Sequence, residues 1–293
     1  MIRLNKVIDE VEFIIKNPNR KTYPLNIQGL DDLYKVVLGS TTYIGGIPSH
    51  GKSEWHMEML IRLTELHGFR HVLFSPESGS PAEIYLELVC KFLRKTNKVG
   101  AFNKITIDEF RKQIAYVGDY FIIRDQTETP PTIDELLTEV KELQRESDIH
   151  TISIDPFNEL THDFGVRQDV YLSEKLGKIR TFSRMNNMHT FIIAHPRTLQ
   201  KNKEGSYEPP TAYELSGGGT WYAKADSILC VYRPNEFDYN GSYEDRCKAE
   251  ILVQKAKPKH VGVKGIFETT FEPHTNRYKY LEPENEQFFK PNF

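Results

Sequence analysis

Two patterns of apolar and polar residues alternate along the chain. Short continuous runs of apolar and β-branched residues predict buried strands, and longer segments with apolar side chains at every third or fourth position predict amphipathic helices. Because these patterns alternate from the first predicted strand to residue 194, they favour a mainly parallel α/β sheet covered on both faces by helices. The predicted strands are 40–44, 71–75, 120–123, 150–155, 189–194, 227–232, 249–254 and 265–271, and the predicted helices are 2–16, 54–67, 82–94, 107–116, 132–146 and 170–186.

The C-terminal part of the chain has a different pattern. Strand-like runs follow one another after residue 227 without helical periods between them, which favours antiparallel strands added at one edge of the sheet. Thr132 and Glu135 have the spacing of a capping box, so we expect a helix to begin there. No long linker divides the sequence, so we expect one domain at 25–293 preceded by a helical extension at 1–24.

The composition of the chain limits the classes of protein to which it can belong. The 293 residues include 38 Lys+Arg and 41 Asp+Glu, a formal net charge of −3, so any contact with nucleic acid must be a local patch. No apolar run approaches the roughly 20 residues of a membrane span, and the N-terminus lacks a signal-peptide pattern. Cys90, Cys230 and Cys247 are isolated and are expected to be reduced thiols. We therefore expect a cytoplasmic protein without membrane contact, in a bacterial cell or a phage-infected host.

A phosphate-binding motif lies between the first predicted strand of the sheet and its helix. Residues 46–53 read G-x-x-x-x-G-K-[ST], a loop whose backbone N–H groups and following helix N-terminus can hold phosphates. Lys52 is expected to reach the β- and γ-phosphates of ATP, and the Ser53 hydroxyl to ligate Mg²⁺. A chance glycine turn is the alternative, against which the strand and helix context argues. The predicted nucleotide-binding residues are Gly46, Ile47, Pro48, Ser49, His50, Gly51, Lys52, Ser53 and Glu54.

Three polar side chains follow predicted strands. Asp155, Glu77 and His195 each come at a strand end, and ligands of open α/β sheets bind at the carboxyl edge of the strands. Asp155 there could hold Mg²⁺ or cap a turn. Glu77 could orient the attacking water or be an exposed loop residue, and His195 could sense the γ-phosphate or be structural. Their shared position at one edge favours the functional interpretation of all three.

Three lysines, Lys255, Lys257 and Lys259, follow a later strand. They form a solvated basic turn in a monomer. In a ring they could project into the nucleotide site of the next subunit and neutralise transition-state charge, as an arginine finger does. Lysine would be a weaker substitute, because it is a point charge without the two-pronged geometry of arginine.

Two loops are candidates for contact with nucleic acid. One, Thr161 to Gln168, carries Arg167. The other, Pro196 to Gly219, is predicted to be mobile and combines basic residues with a glycine run whose backbone could follow a phosphate chain. Ordinary surface loops are the alternative. The basic residues of the second loop are Arg197, Lys201 and Lys203.

Together these stretches resemble the ATPase domain of the DnaB/Twinkle class of replicative helicases, from about 29 to 280. Residues 44–53 resemble the P-loop of that family, and 152–155 its Walker-B strand. Residues 72–78 resemble the segment with the family's catalytic base, which implies that role for Glu77. The resemblance implies a RecA-like P-loop NTPase, with a mainly parallel sheet flanked by helices and antiparallel strands at the C-terminal edge.

Further segments extend the resemblance. Residues 191–197 are similar to a Twinkle-like V-I-H-P-R segment, in which the histidine senses nucleotide. Residues 215–217, followed by 225–228, resemble a segment whose loop faces the central channel and touches single-stranded DNA. The resemblance implies that role for Glu214, Leu215, Ser216, Gly217, Gly218 and Gly219.

The resemblance also implies an assembly. Residues 253–257 resemble the K-x-R segment that supplies cations to the neighbouring subunit, but this sequence has Lys257 where the family has arginine. The helix predicted at 2–16 resembles the linker helix that docks on an adjacent subunit. We therefore expect a homo-hexameric, ATP-driven helicase motor on single-stranded DNA, with primase or a loader protein as possible partners. The alternatives are a RecA-like ATPase that loads or remodels protein–DNA assemblies without unwinding, and a nucleotide-binding module without hydrolysis, against which Glu77 argues.

Overall fold

The computed structural model describes residues 7–16, 22–125, 129–162, 165, 167–197, 199, 201, 207–215, 217–236, 238 and 240–281. Its strands are β1 (Thr22–Tyr23), β2 (Val36–Val37), β3 (Thr41–Gly46), β4 (His71–Phe74), β5 (Phe121–Ile123), β6 (Thr151–Ile154), β7 (His189–Ile193), β8 (Ser227–Tyr232), β9 (Lys248–Lys255), β10 (Gly265–Glu272) and β11 (Arg277–Lys279). Its helices are α1 (Ile8–Lys16), α2 (Lys52–His67), α3 (Pro81–Phe92), α4 (Ile107–Tyr120), α5 (Ile133–Glu146), α6 (Gln168–Met185), α7 (Gly219–Lys224) and α8 (Tyr243–Cys247).

A nine-stranded sheet forms the centre of the described chain, in the order β11-β10-β9-β8-β3-β7-β6-β4-β5. The strands from β8 to β5 in this order are parallel to one another. β9, β10 and β11 are added by antiparallel pairing beside β8. The predicted mainly parallel sheet with antiparallel strands at the C-terminal edge is confirmed.

Local sequence signals set the starts of several helices. At α5 the Thr132 hydroxyl accepts a hydrogen bond from the Glu135 backbone N–H, and the Glu135 carboxylate accepts one from the Thr132 backbone N–H. This reciprocal pair satisfies N–H groups that a helix start leaves without partners. The capping box predicted there is confirmed, and equivalent boxes begin α3 and α4.

Helices cover both faces of the sheet, and each face has its own apolar cluster. On one face α2 contributes Trp55 and Leu60, which pack with residues of α3, α4 and the C-terminal strands. On the other face Leu137 of α5 and Leu176 of α6 pack against the sheet. Because both faces are buried, the parallel strands are continuous apolar runs, as the sequence pattern indicates.

The structure departs from the predicted elements at short segments. α7, α8 and the β1–β2 pair were not predicted, because elements this short carry less than two periods of any pattern. The segment 196–219, predicted as a loop, contains a 3₁₀ turn at Ala212–Glu214 and the first residue of α7. α1 begins at Ile8, and residues 2–6 of the helix predicted at 2–16 lie outside the described residues. All three cysteines are buried, and no described helix is long and apolar enough to cross a membrane.

A buried ion pair joins the P-loop helix to the last strand. Arg277 of β11 donates two hydrogen bonds of 2.7 Å to the Glu58 carboxylate of α2, and both side chains are fully buried. Tyr280 donates a third hydrogen bond to the same carboxylate, at 2.9 Å. The pair therefore fixes the C-terminal strands against α2.

Arg277→Ala is expected to lower the free energy of unfolding by about 3 kcal/mol or more, because it leaves the Glu58 charge buried without its partner. Urea denaturation measures the change. The exposed pair between Arg167 and Asp169 supplies the control, and Arg167→Ala is expected to change stability by less than about 1 kcal/mol. Equal effects of the two substitutions would contradict this account of the pair.

Candidate functional site

The loop between β3 and α2 has the strand–loop–helix geometry predicted from the motif. Gly46 has φ of 147°, and a Cβ on it would lie 2.4 Å from the Val231 carbonyl oxygen, so only glycine fits. The Lys52 ammonium donates hydrogen bonds to the carbonyl oxygens of Gly46 and Ile47, at 3.2 and 3.1 Å. Burial lowers the pKa of Lys52, an effect that the Asp155 charge opposes. The ammonium is thus held over the loop, at the positive end of α2.

His50 attaches this loop to the end of β8. Its Nδ1 accepts a hydrogen bond of 2.8 Å from the Arg233 backbone N–H. Burial lowers the pKa of His50 to about 4, and the charges of Arg233 and Lys52 act in the same direction. The imidazole is therefore neutral at pH 7, with Nδ1 as the acceptor and its proton on Nε2.

Asp155 follows β6 and lies beside the start of α2. Its Oδ2 is buried and has no hydrogen-bond partner among the described residues. Burial raises the pKa of Asp155, the Glu77 charge adds to this, and Ser53 and Lys52 oppose it. A buried oxygen without a partner costs free energy, so the site favours a cation beside Ser53 and Asp155. The residues present fit Mg²⁺.

Glu77 and His195 meet at the same edge of the sheet. Glu77 lies in the 3₁₀ turn Pro76–Ser78 after β4, and His195 lies after β7. Their side chains approach to 3.3 Å between Glu77 Oε2 and His195 Nε2. Since β7, β6 and β4 are neighbours, their carboxyl ends bring Glu77, His195 and Asp155 together. The Glu77 side chain is 52% exposed, which leaves it accessible to a water molecule.

The structure separates the two lysines predicted to act on a neighbouring subunit. The Lys255 ammonium is buried and donates to the carbonyl oxygens of Tyr222 and Ala225 at the end of α7, at 2.5 and 2.7 Å. It also lies 4.8 Å from the centre of the Tyr222 ring. Two of the three N–H donors of Lys255 therefore bond within its own chain, and its predicted role in a neighbouring subunit stays a prediction. Lys257 is exposed.

Strand direction places Lys257 far from the P-loop of its own chain. Lys255 pairs with Ile228 at the start of β8, whereas Gly46 pairs with Val231 near the end of β8. The lysines after β9 therefore lie at the opposite edge of the sheet from the phosphate-binding loop. In its own chain, Lys257 therefore does not adjoin the P-loop.

The described residues among those predicted to bind DNA lie in loops at the carboxyl edge. Arg167, just before α6, is 82% exposed and pairs with Asp169. Arg197 and Lys201 are exposed in the segment that follows β7. Lys203 and Ser216 lie outside the described residues. The described cations thus share the edge of the sheet that carries the P-loop.

Two of the predicted DNA contacts have local structural roles. The Glu214 carboxylate accepts hydrogen bonds from the backbone N–H and hydroxyl of Thr211, which caps the 3₁₀ turn. A Cβ on Gly217, whose φ is 90°, would lie 2.3 Å from the Leu172 side chain. Close packing against α6 therefore explains why a glycine is needed at position 217. Gly218 and Gly219 complete the turn into α7 and leave backbone near the surface.

Sequence reasoning missed two residues that adjoin the P-loop. Tyr232 ends β8 with its ring 5.5 Å from that of His50, and the Arg233 backbone bonds to the same histidine. A tyrosine and an arginine directly after a buried strand at the carboxyl edge were a usable signal, because that edge is where ligands bind.

The sequence has counterparts among known proteins. The family described as the DnaB-like helicase C-terminal domain matches residues 26–280. A Twinkle homolog protein, chloroplastic/mitochondrial, of Arabidopsis thaliana is 31% identical over 258 residues, which are 86% of this chain and 35% of the relative. The chain thus spans about a third of the length of this curated relative.

Solved structures show the same fold. One, described as the ATPase domain of its protein, superposes with a TM-score of 0.76 at 15% identity, covering 96% of this chain and 99% of that one. A DnaB-like replicative helicase, described with its interactions with primase, superposes with a TM-score of 0.77 at 16% identity, covering 96% of this chain and 69% of that one. Since the family match extends over nearly the whole described chain, this protein belongs to the DnaB-like helicase C-terminal domain family.

Proposed function

We propose that this chain is the ATP-hydrolysing motor of a ring-shaped DNA helicase that moves on single-stranded DNA. The observation that carries the proposal is the convergence of Lys52, Asp155, Glu77 and His195 at one edge of the sheet. The site combines positively and negatively charged side chains next to a phosphate-binding loop, and it has a buried carboxylate oxygen without a partner among the described residues. Hydrolysis of a nucleoside triphosphate needs these features.

Different residues of this chain take different roles in the proposed hydrolysis. The backbone of 46–53 and the Lys52 ammonium bind the β- and γ-phosphates, so Lys52 exchanges its hydrogen bonds to Gly46 and Ile47 for phosphate oxygens. Glu77 accepts a proton from the attacking water and aligns it with the γ-phosphate. His195 orients the glutamate by donating the N–H of its Nε2 to the carboxylate, and this donor turns to the γ-phosphate when nucleotide binds.

Ser53, through its hydroxyl, and Asp155, through its buried Oδ2, are the residues that would hold Mg²⁺. When bound, the ion would neutralise charge on the β- and γ-phosphates. Glu54, the next residue of α2, contributes its backbone N–H at the helix start.

Lys257 is proposed to act on the nucleotide of the neighbouring subunit in a homo-hexamer. Lys257→Ala is expected to lower turnover about tenfold in the assembled protein, because a cation contact to transition-state charge is lost. ATP binding is expected to remain. Steady-state hydrolysis measures the change, and Lys259→Ala, an exposed lysine two residues further on, is the matched control. Equal rates for both variants and the unchanged protein would contradict the trans role.

Single-stranded DNA is proposed to bind at the loops after β6 and β7. Arg167, Arg197 and Lys201 supply charge together with Lys203, which lies outside the described residues. The glycines before α7 supply backbone N–H groups. The affinity for a DNA oligonucleotide, measured against salt concentration, tests this. Lys201→Ala is expected to reduce the slope of log affinity against log salt by about 0.7, the value for one phosphate of a single strand.

Lys141→Ala, on an exposed position of α5, is the control for this DNA measurement and is expected to keep the slope. An unchanged slope for Lys201→Ala would remove that residue from the DNA site. Absence of DNA affinity in the unchanged protein would favour the alternative function, an ATPase that loads or remodels protein assemblies. Primase or a loader protein remains a proposed partner.

A further inference from the structure

The end of β8 connects the P-loop to the segment that follows β7. Tyr232 is the last residue of β8, and its ring lies 5.5 Å from the His50 ring at an interplanar angle of 32°. Its hydroxyl donates a hydrogen bond of 2.7 Å to the Tyr207 carbonyl oxygen. Tyr232 thus contacts the phosphate-binding loop through its ring and, through its hydroxyl, the β7–α7 segment, residues 194–218, of which 194–197, 199, 201, 207–215 and 217–218 are described.

The bond to Tyr207 bears on the position of a proposed DNA contact. Tyr207 pairs with Lys201 in an isolated β-bridge, and the Lys201 ammonium lies 5.3 Å from the centre of the Tyr207 ring. The location of the Lys201 charge therefore depends on the location of Tyr207. Because Tyr232 holds the Tyr207 carbonyl, the chain of contacts runs from His50 to Lys201 through two tyrosines.

Other contacts hold the same segment at its ends. Pro196 pairs with Leu215, and the Gln254 side chain donates to the Pro210 carbonyl oxygen at 2.8 Å. The first contact joins two ends of the segment to each other, and the second joins the segment to β9; neither involves the P-loop. The Tyr232 hydroxyl differs from them, since the ring that carries it packs against a P-loop side chain.

We propose that Tyr232 is a positioning residue that couples nucleotide binding at the P-loop to the affinity of the β7–α7 segment for single-stranded DNA. The inference rests on the proposed function and adds a specific residue and a direction of transmission to it. Phosphates bind the backbone of the loop that carries His50, so a shift of that loop changes the support of the Tyr232 ring. The ring is rigid, and its hydroxyl passes the shift to Tyr207.

The protonation states of Tyr232 and His50 allow both contacts of Tyr232 to form. Burial raises the pKa of Tyr232, so its hydroxyl keeps the proton that it donates to Tyr207. His50 is neutral at pH 7 and accepts from the Arg233 backbone, which fixes its ring beside Tyr232. Both contacts therefore persist at neutral pH.

The test is the nucleotide dependence of DNA affinity. The dissociation constant of a fluorescent single-stranded oligonucleotide is measured with and without a non-hydrolysable ATP analogue and Mg²⁺, and the ratio of the two is the coupling factor. Tyr232→Phe removes one oxygen and keeps the ring on His50. The coupling factor is expected to fall about fivefold, the size of one neutral hydrogen bond.

Tyr85→Phe is the matched control. The Tyr85 hydroxyl also donates to a backbone carbonyl oxygen, that of Phe121, at 2.9 Å, in a contact between α3 and β5. This variant loses the same kind of bond at a site that touches neither the P-loop nor the β7–α7 segment. Its coupling factor is expected to equal that of the unchanged protein, and thermal unfolding of both variants compares their stabilities.

Two results would overturn the inference alone. One is a wild-type coupling factor in Tyr232→Phe. The other is an equal loss of DNA affinity with and without nucleotide, which would make Tyr232 an anchor of the segment only. A third result, DNA affinity in the unchanged protein that is absent or independent of nucleotide, would overturn the inference together with the proposed function.

Discussion

Glu77→Gln is expected to lower the steady-state rate of ATP hydrolysis by about 100-fold or more while leaving ATP binding intact, because the amide cannot accept the proton of the attacking water. The substitution keeps the size of the side chain and its position after β4. A fluorescent nucleotide measures binding, and phosphate release measures turnover. The two readouts separate loss of the base from loss of the site.

Glu159→Gln is the control for this change. Glu159 is an exposed carboxylate in the 3₁₀ turn Phe157–Glu159 after β6, at the same edge of the sheet. Its substitution removes one negative charge from that edge without touching the contact between Glu77 and His195. Turnover of Glu77→Gln within twofold of the control would remove Glu77 from the mechanism.

The second large effect expected is a loss of stability in mild acid, caused by buried histidines. Burial lowers the pKa of His56 to about 3 and that of His189 to about 4, and it lowers the pKa of His71 well below its usual value. In the unfolded chain a histidine has a pKa of about 6.5. Below that pH the unfolded state binds more protons than the folded state, so stability falls as pH falls. Hydroxyl groups hydrogen-bond to these rings in their neutral forms: Ser153 to His56, Thr64 and Thr151 to His71, and Thr42 to His189.

The size of this loss of stability follows from the pKa values given for His56 and His189. Between pH 7 and pH 5, His56 and His189 each remove about 2 kcal/mol from the free energy of unfolding, or about 4 kcal/mol together. Urea denaturation at a series of pH values measures this. His56→Gln is expected to reduce the slope between pH 6 and pH 5 by about 1 kcal/mol per pH unit, a little less than the value for one whole proton. His274→Gln, at an exposed turn, is the matched control, and a slope that responds equally to both variants would contradict the prediction.

Much of the site follows from local sequence signals. The P-loop motif, the capping box at Thr132 and the apolar strand runs depend on neighbouring residues, so they can be recognised without knowing the fold. To predict that Asp155, Glu77 and His195 lie together, one also needs the rule that parallel strands end at a common edge of the sheet. The structure brings these three together because β4, β6 and β7 are adjacent. Their chemical roles stay predictions.

The burial of Lys255 follows from the alternation of side chains along β9. Residues of a strand alternate between its two faces, and Lys255 falls on the face of β9 that also carries Ala249, Ile251 and Val253. That face is buried. The alternation therefore favoured a buried lysine with partners in its own chain, whereas Lys257 lies beyond the end of the strand and is exposed.

Other contacts could not be predicted from the sequence alone. Glu58 and Arg277 are 219 residues apart, and a glutamate within a helix usually marks the solvated face. The bond between Tyr232 and Tyr207 depends on the path of a segment without a regular period. Pairings of this kind are set by tertiary packing, which local propensity does not encode.

The most direct test of the central claim is steady-state ATP hydrolysis with and without single-stranded DNA. The proposed motor couples the P-loop edge to the loops after β6 and β7, so hydrolysis is expected to rise strongly when DNA is added. The increase is expected to vanish in Glu77→Gln. Hydrolysis that does not respond to DNA would contradict the motor and leave an ATPase that acts on other proteins, and no hydrolysis at all would contradict both.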